Sequence, residues 1–239
     1  MRLFSDDVPY GPRAEFAPCM LVVQARLGST RLPGKIFKEV LGKPLLHYQL
    51  ERLRRVQNVE GIVIATTTNP NDQPIVDFCN REGLHCIRGS EEDVLSRYVA
   101  AADAFGLDVV VRITSDCPLI DPLLIDKGLL CFWQHYKELD YLSICHERTY
   151  PVGMDFEIVR TDALKKAFYE ATSPYDKEHV TPYIWHHPEL FRLGNLQQAK
   201  NQSHHRFTLD TQEDYMLIKK VFEEHYPQNP EFSMLEMLS

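Results

Sequence analysis

The stretch Glu91–Thr114, EEDVLSRYVAAADAFGLDVVVRIT, holds two periodicities back to back. Val94, Leu95, Tyr98, Ala101, Ala102 and Phe105 recur at spacings of three and four, which gives a helix with one apolar face. Ser90 is its expected N-cap, and Glu91, Glu92 and Asp93 fall in the first turn, where the helix dipole favours acids. Past Gly106 the pattern changes to Val109-Val110-Val111, the nearly unbroken apolar run of a parallel strand covered on both faces.

The same alternation recurs upstream. Strand-like runs at Met20–Ala25, Gly61–Thr66 and Leu84–Ile87 bracket helical patterns near Leu45–Val56 and Asp72–Glu82. Strands alternating with helices imply right-handed βαβ units, hence an α/β fold with a mostly parallel central sheet flanked by helices. Downstream, Asp121-Pro122 starts a helix to about Tyr136. Asp140–Cys145 and Met154–Val159 then read as a β-hairpin inserted at about 140–160. Helices follow near Asp162–Ala171 and Lys177–His186, then strand-like Phe191–Leu196 and Arg206–Leu209. Thr211 and Asp214 form a capping-box pattern for a last helix to about His225. Residues 1–19, broken by acids and prolines, read as a loosely ordered leader, and residues 20–239 as one domain.

With 26 Lys+Arg against 34 Asp+Glu in 239 residues, the net charge of −8 disfavours general nucleic-acid binding. No apolar run approaches the roughly 20 residues of a membrane span, so no membrane insertion is expected. The six cysteines are scattered and no secretory signal precedes them, which points to reduced thiols in the cytoplasm. Adjacent His186-His187 and His204-His205 lack the Cys/His spacing of a zinc site.

Three segments carry chemistry. Gln24–Lys35, QARLGSTRLPGK, directly follows the first buried strand, where α/β sheets place ligand loops. Arg26 to Lys38 contains four cations and no acid. Gly28 and Gly34 allow close backbone approach, and Ser29 and Thr30 add hydroxyls, which together suit a polyphosphate. The spacing is neither a Walker A loop nor a dinucleotide fingerprint. The second segment, Arg112–Asp121, puts Asp116 just past an apolar strand, where a carboxylate can hold a hard cation such as Mg²⁺ or merely shape an Asx-turn before Pro118. The third, Phe207–Asp214, places Asp210 between a strand and a helix, a position also explained by the helix dipole alone.

Together the blocks QARLGSTRLPGK, IATTTNPND, IRGSEEDVLSRY, VVVRITSDCPLID, RTYPVGMDFE, KEHVTPYI and TLDTQEDY resemble the cytidylyltransferases of the spore-coat polysaccharide type, relatives of the Kdo and N-acylneuraminate enzymes. They run in order from about Leu21 to Ile218. The resemblance implies a nucleotide-diphospho-sugar transferase (Rossmann-like, GT-A-type) fold and transfer of CMP from CTP to a small-molecule acceptor, a sugar, sugar acid or related compound, with release of pyrophosphate. It makes Arg26, Ser29 and Lys35 triphosphate contacts within a nucleotide loop that includes Gln24, Ala25 and Gly28. Asp116 and Asp210 become Mg²⁺ ligands, so Arg26, Lys35, Asp116 and Asp210 form the implied catalytic set. Thr66, Asn69 and Ser90 would line base and ribose, and Asp155, Glu157 and His179 the acceptor. The resemblance also implies a homodimer, with the hairpin as its contact, because a lone hairpin needs something to pack on. Two departures stand out: the Kdo enzymes' base-contacting Gln is absent at Thr114, and Ser115 replaces the usual Gly. A uridylyl- or other nucleotidyltransferase, or a non-catalytic nucleotide-binding subunit, remains an alternative. The chain has no Asp-x-Asp motif, which counts against a glycosyltransferase.

Overall fold

The computed structural model describes residues 1–7 and 17–238. In chain order the strands are β1 (Arg2–Ser5), β2 (Cys19–Gln24), β3 (Glu39–Val40), β4 (Lys43–Pro44), β5 (Ile62–Thr67), β6 (His85–Gly89), β7 (Val109–Thr114), β8 (Tyr141–Ser143), β9 (Phe156–Arg160) and β10 (Leu193–Gln197). The helices are α1 (Leu45–Leu53), α2 (Gln73–Glu82), α3 (Val94–Phe105), α4 (Pro122–Gln134), α5 (Thr161–Glu170), α6 (Pro174–His179), α7 (Pro182–His186), α8 (Gln212–His225) and α9 (Met234–Met237). Eight strands form one sheet in the order β1-β10-β8-β9-β7-β2-β5-β6, and β3 and β4 make a separate ribbon.

The sheet is parallel except at β9, which runs antiparallel to both neighbours. Alternation along each strand divides the interior in two. Leu21 and Val23 of β2 and Val109, Val111 and Ile113 of β7 join one apolar cluster with residues of α1, α2, α4 and α8. Met20, Val22 and Val110 face the other way, onto α3 and α5. The mostly parallel α/β architecture is therefore as the sequence pattern implies.

Four local readings are corrected. The leader is not loose throughout: Arg2–Ser5 pair with Gly194–Gln197 as an edge strand, while residues 8–16 lie outside the described residues. The hairpin is no appendage. β8 pairs with β10 and β9 with β7, so it is interior to the sheet and the packing argument for a dimer contact there falls away. The helix expected over Lys177–His186 breaks at Val180, which takes φ 74°, a region that β-branched residues rarely enter, ahead of Thr181-Pro182. Arg206–Leu209 forms only an isolated bridge, Arg206 to Val152.

Candidate active site

The carboxyl ends of β2 and β7 open onto a cavity of about 420 Å³, on the face of the sheet that carries α3. The basic loop forms its floor. Buried Asp72 anchors that loop, accepting Leu27 N–H at 2.7 Å and also the Thr67 hydroxyl. Gly34, at φ 63°, turns the chain into a short 3₁₀ turn over Lys35–Phe37, which aims Lys35 back beneath the sheet edge.

Lys35 Nζ lies 3.2 Å from Asp116 Oδ2 and 3.1 Å from Asp210 Oδ1. Two aspartates distant in sequence thus flank one ammonium. A backbone bond from Leu209 N–H to Asp116 O, at 2.8 Å, holds their segments together. Arg31 and Arg206 reach the same Asp210 carboxylate, at 3.3 and 2.9 Å. Partial burial would raise the Asp210 carboxyl, but Lys35, Arg31 and Arg206 together hold it below the usual carboxylate range. Among the described residues no group of three or more His, Cys, Asp or Glu side chains is placed to hold a metal. Two carboxylates that converge on one point nonetheless suit Mg²⁺, which usually takes one or two protein carboxylates and completes its oxygen shell with water or phosphate.

The cavity wall holds five cations, Arg26, Arg31, Lys35, Arg97 and Arg112, against three acids, Asp116, Glu178 and Asp210. Arg26 is half exposed and only loosely paired, at 3.7 Å from Glu91 and 3.9 Å from Glu178. Arg97 is the unusual member. It is 1% exposed, and its Nε and Nη1 have no hydrogen-bond partner among the described residues. Burial lowers its pKa. Asp72 and Glu91 offset the burial only in part. Buried N–H groups without partners are costly to the empty protein, and bound oxygen atoms would relieve that cost.

A second cavity, about 350 Å³, shares Arg112, Thr114 and His179 with the first and extends to His146, Asp155, Glu157, Tyr175 and Trp185. Its floor is a closed network. Glu157 bonds Arg112 through one oxygen and Tyr141 and Thr181 through the other, and Arg112 Nη2 reaches Gln24 Oε1 at 3.3 Å. Burial would raise the Glu157 carboxyl, yet Arg112, Thr181 and Tyr141 hold it below its usual value. The strained Val180 lies between His179 and Thr181, both of which face this cavity. Val152 and Gly153 are pinned to the segment that leads to Asp210: Phe207 N–H bonds Val152 O at 2.7 Å. A Cβ at Gly153 (φ +100°) would lie 2.5 Å from Phe207 C.

Most expected site residues meet here. Gln24, Ala25, Arg26, Gly28, Ser29, Lys35, Asp116, His179 and Asp210 line the first cavity, and Asp155, Glu157 and His179 the second. Ser29 also closes its own loop, accepting Leu32 N–H at 3.3 Å. Thr66, Asn69 and Ser90 line neither. Thr66 is fully buried because it follows Ala65 and so points to the opposite face of the sheet from the cavity. Ser90 does not cap α3 either. Asp93 does, accepting Ser96 N–H at 2.8 Å, while Ser90 Oγ accepts Asp93 N–H one turn earlier. Asn69 stays at the rim, bonded to Glu91 at 3.0 Å. Arg97 and Arg112 went unassigned in the sequence. Their signal was a cation on the apolar face of α3 and a cation interrupting a buried strand.

The cytidylyltransferase family model matches residues 20–233. The spore coat polysaccharide biosynthesis protein SpsF of Bacillus subtilis is 31% identical over 227 residues, covering 92% of each chain. A cytidylyltransferase structure from Leptospira borgpetersenii superposes with TM-score 0.89 at 33% identity, over 93% of each chain. A CMP:2-keto-3-deoxy-manno-octonic acid synthetase, solved in complex with CTP, superposes with TM-score 0.65 over 87% of this chain and 99% of its own, and at 17% identity it is alike in fold. With a match that takes in both cavities, the chain belongs to the cytidylyltransferase family.

Proposed function

We propose that this protein transfers CMP from CTP to a small-molecule acceptor and releases pyrophosphate. The observation that carries this reading is the first cavity: five cations, one of them buried with two N–H groups unpartnered among the described residues, beside two convergent aspartates. The acceptor oxygen attacks the α-phosphorus in line, and the bond from that phosphorus to the bridging β-phosphate oxygen breaks. Arg26 and Lys35 bind the departing pyrophosphate and stabilise its growing charge. Arg97 donates to whichever base or phosphate oxygens fill its empty side. Asp116 and Asp210 would hold Mg²⁺, which supplies charge neutralisation to the phosphates when bound. The second cavity orients the acceptor, so proximity and electrostatics provide most of the acceleration.

The family setting favours surface polysaccharide biosynthesis. Six free cysteines suit the reducing cytoplasm. No described helix is long and apolar enough to cross a membrane. A homodimer is part of the same proposal, checked by light scattering against the 27.7 kDa monomer. The central experiment is pyrophosphate release from CTP with Mg²⁺ and a panel of sugars, sugar acids and polyol phosphates. Alongside it, CTP should raise the melting temperature more than ATP, GTP or UTP, since only ligands of the native state shift unfolding. Equal shifts from all four nucleotides would remove cytidine selectivity.

A further inference from the structure

The second cavity differs from the first in charge, and that difference bears on what it takes. Every charged side chain on its wall has an ion-pair partner, although the buried Nε of Arg112 has no hydrogen-bond partner among the described residues. Arg112 is bonded to Glu157, and Asp155 to Arg148. Burial holds the His146 imidazole below its ordinary pKa, Glu157 opposing and Arg148 and His186 adding to the effect, which favours its neutral form near pH 7. The wall therefore carries two carboxylates, Asp155 and Glu157, and one guanidinium that is already engaged. A negatively charged group entering here would lose water and find no free cation, with two acids nearby. What the wall does offer is flat aromatic surface. Trp185 packs edge-on to His146 at 5.2 Å, and Tyr175 lies 4.4 Å from His179 at the mouth. Aromatic faces of this kind pack against the C–H face of a sugar ring, while the hydroxyl of Thr114 and the imidazole of His179 can meet ring hydroxyls.

We propose that the second cavity binds an uncharged, hydroxyl-rich acceptor, a neutral sugar or polyol, in preference to a sugar acid. This rests on reading that cavity as the acceptor's. It also sets the chain apart from the octonic acid synthetase that shares its fold, whose named substrate is an acid.

The test follows the Trp185 indole N–H resonance of the full-length protein during titration with compounds matched except for charge: galactose against galacturonate, and an octulosonic acid against its methyl ester. The neutral member of each pair should bind about tenfold more tightly or better. Equal affinity, a preference for the acid, or no binding by any of the four would overturn the proposal. Asp155→Asn, which releases Arg148, should narrow the preference by about tenfold. A folded Asp155→Asn protein with unchanged preference would count against it equally. CTP added to the same samples reports separately through Gln24–Lys35 resonances. If CTP fails to bind, the transferase reading fails; if CTP binds and acids are preferred, only the acceptor class does.

Discussion

Two arginines at the carboxyl edge of one sheet, Arg97 buried and Arg112 half-buried, show how differently the adjoining cavities are built. Arg112 has its acid in place, Glu157, and a full set of neighbours around that acid. Arg97, on the helix above, makes no ion pair among the described residues, feels Asp72 and Glu91 only at a distance, and has two unpartnered N–H groups. The first arrangement has its ion pair in the empty protein, with only the Arg112 Nε left over, and contributes to its stability. The second is incomplete until something binds, and so exchanges stability for affinity. A buried charge is structural when its partner belongs to the chain and functional when the partner is missing.

That contrast can be broken most severely at Arg112. Arg112→Met strands the Glu157 carboxylate, and urea unfolding should show a loss of about 3–5 kcal/mol; a loss under 1 kcal/mol would mean that the pair is not integral to the fold. Lys35→Ala comes next. Pyrophosphate release should fall about 10²- to 10³-fold, as for loss of one preorganised cationic contact. Because the variant leaves Asp116 and Asp210 facing each other without their ammonium, Mg²⁺ should raise its melting temperature more than it raises that of the wild type. Arg97→Met should do the reverse of Arg112→Met. The apo protein should hold or gain stability while CTP affinity drops tenfold or more by calorimetry; a protein that unfolds more easily yet binds CTP normally would reverse the assignment. The smallest effect is in pH. Glu157 is depressed in the folded state, so its contribution is complete above the unfolded value near 4.3 and is lost as pH falls through the lower folded value. Urea midpoints measured from pH 5 to 3 should fall less steeply in Glu157→Gln, by a difference of about 1 kcal/mol.

The parts of the molecule legible in the sequence are those whose information is local. α3 and β7 follow from side-chain period, and the capping box at Thr211 from two residues three apart. The basic loop and Asp116 were visible because ligands gather where parallel strands end. What was not legible depends on partners remote in sequence. β1 is a strand only because β10 presents a free edge to it, and β8 and β9 are interior only because β7 and β10 flank them. Thr66 was assigned to the ligand without the knowledge that its neighbour Ala65, not Thr66, shares a face with Gln24. Arg97 could be seen as a charge on an apolar helix face, but whether an acid answered it was a question of three dimensions.

The seam at Gly153 has a consequence for how such an enzyme could change its acceptor. The backbone there sits so close to Phe207 and Thr208 that no side chain fits between them, and Phe207 N–H is bonded to Val152 O. Two residues beyond the seam, one segment delivers Asp155 to the second cavity; the other leads to Asp210 in the first. Recombination that transplanted a relative's loop over residues 144–155 alone would therefore bring a contour moulded to a foreign partner, and would displace Asp210 along with the wall of the second cavity. Homologous loops should be exchangeable only when residues 205–210 travel with them, so the two segments form one heritable cassette although some fifty residues lie between them.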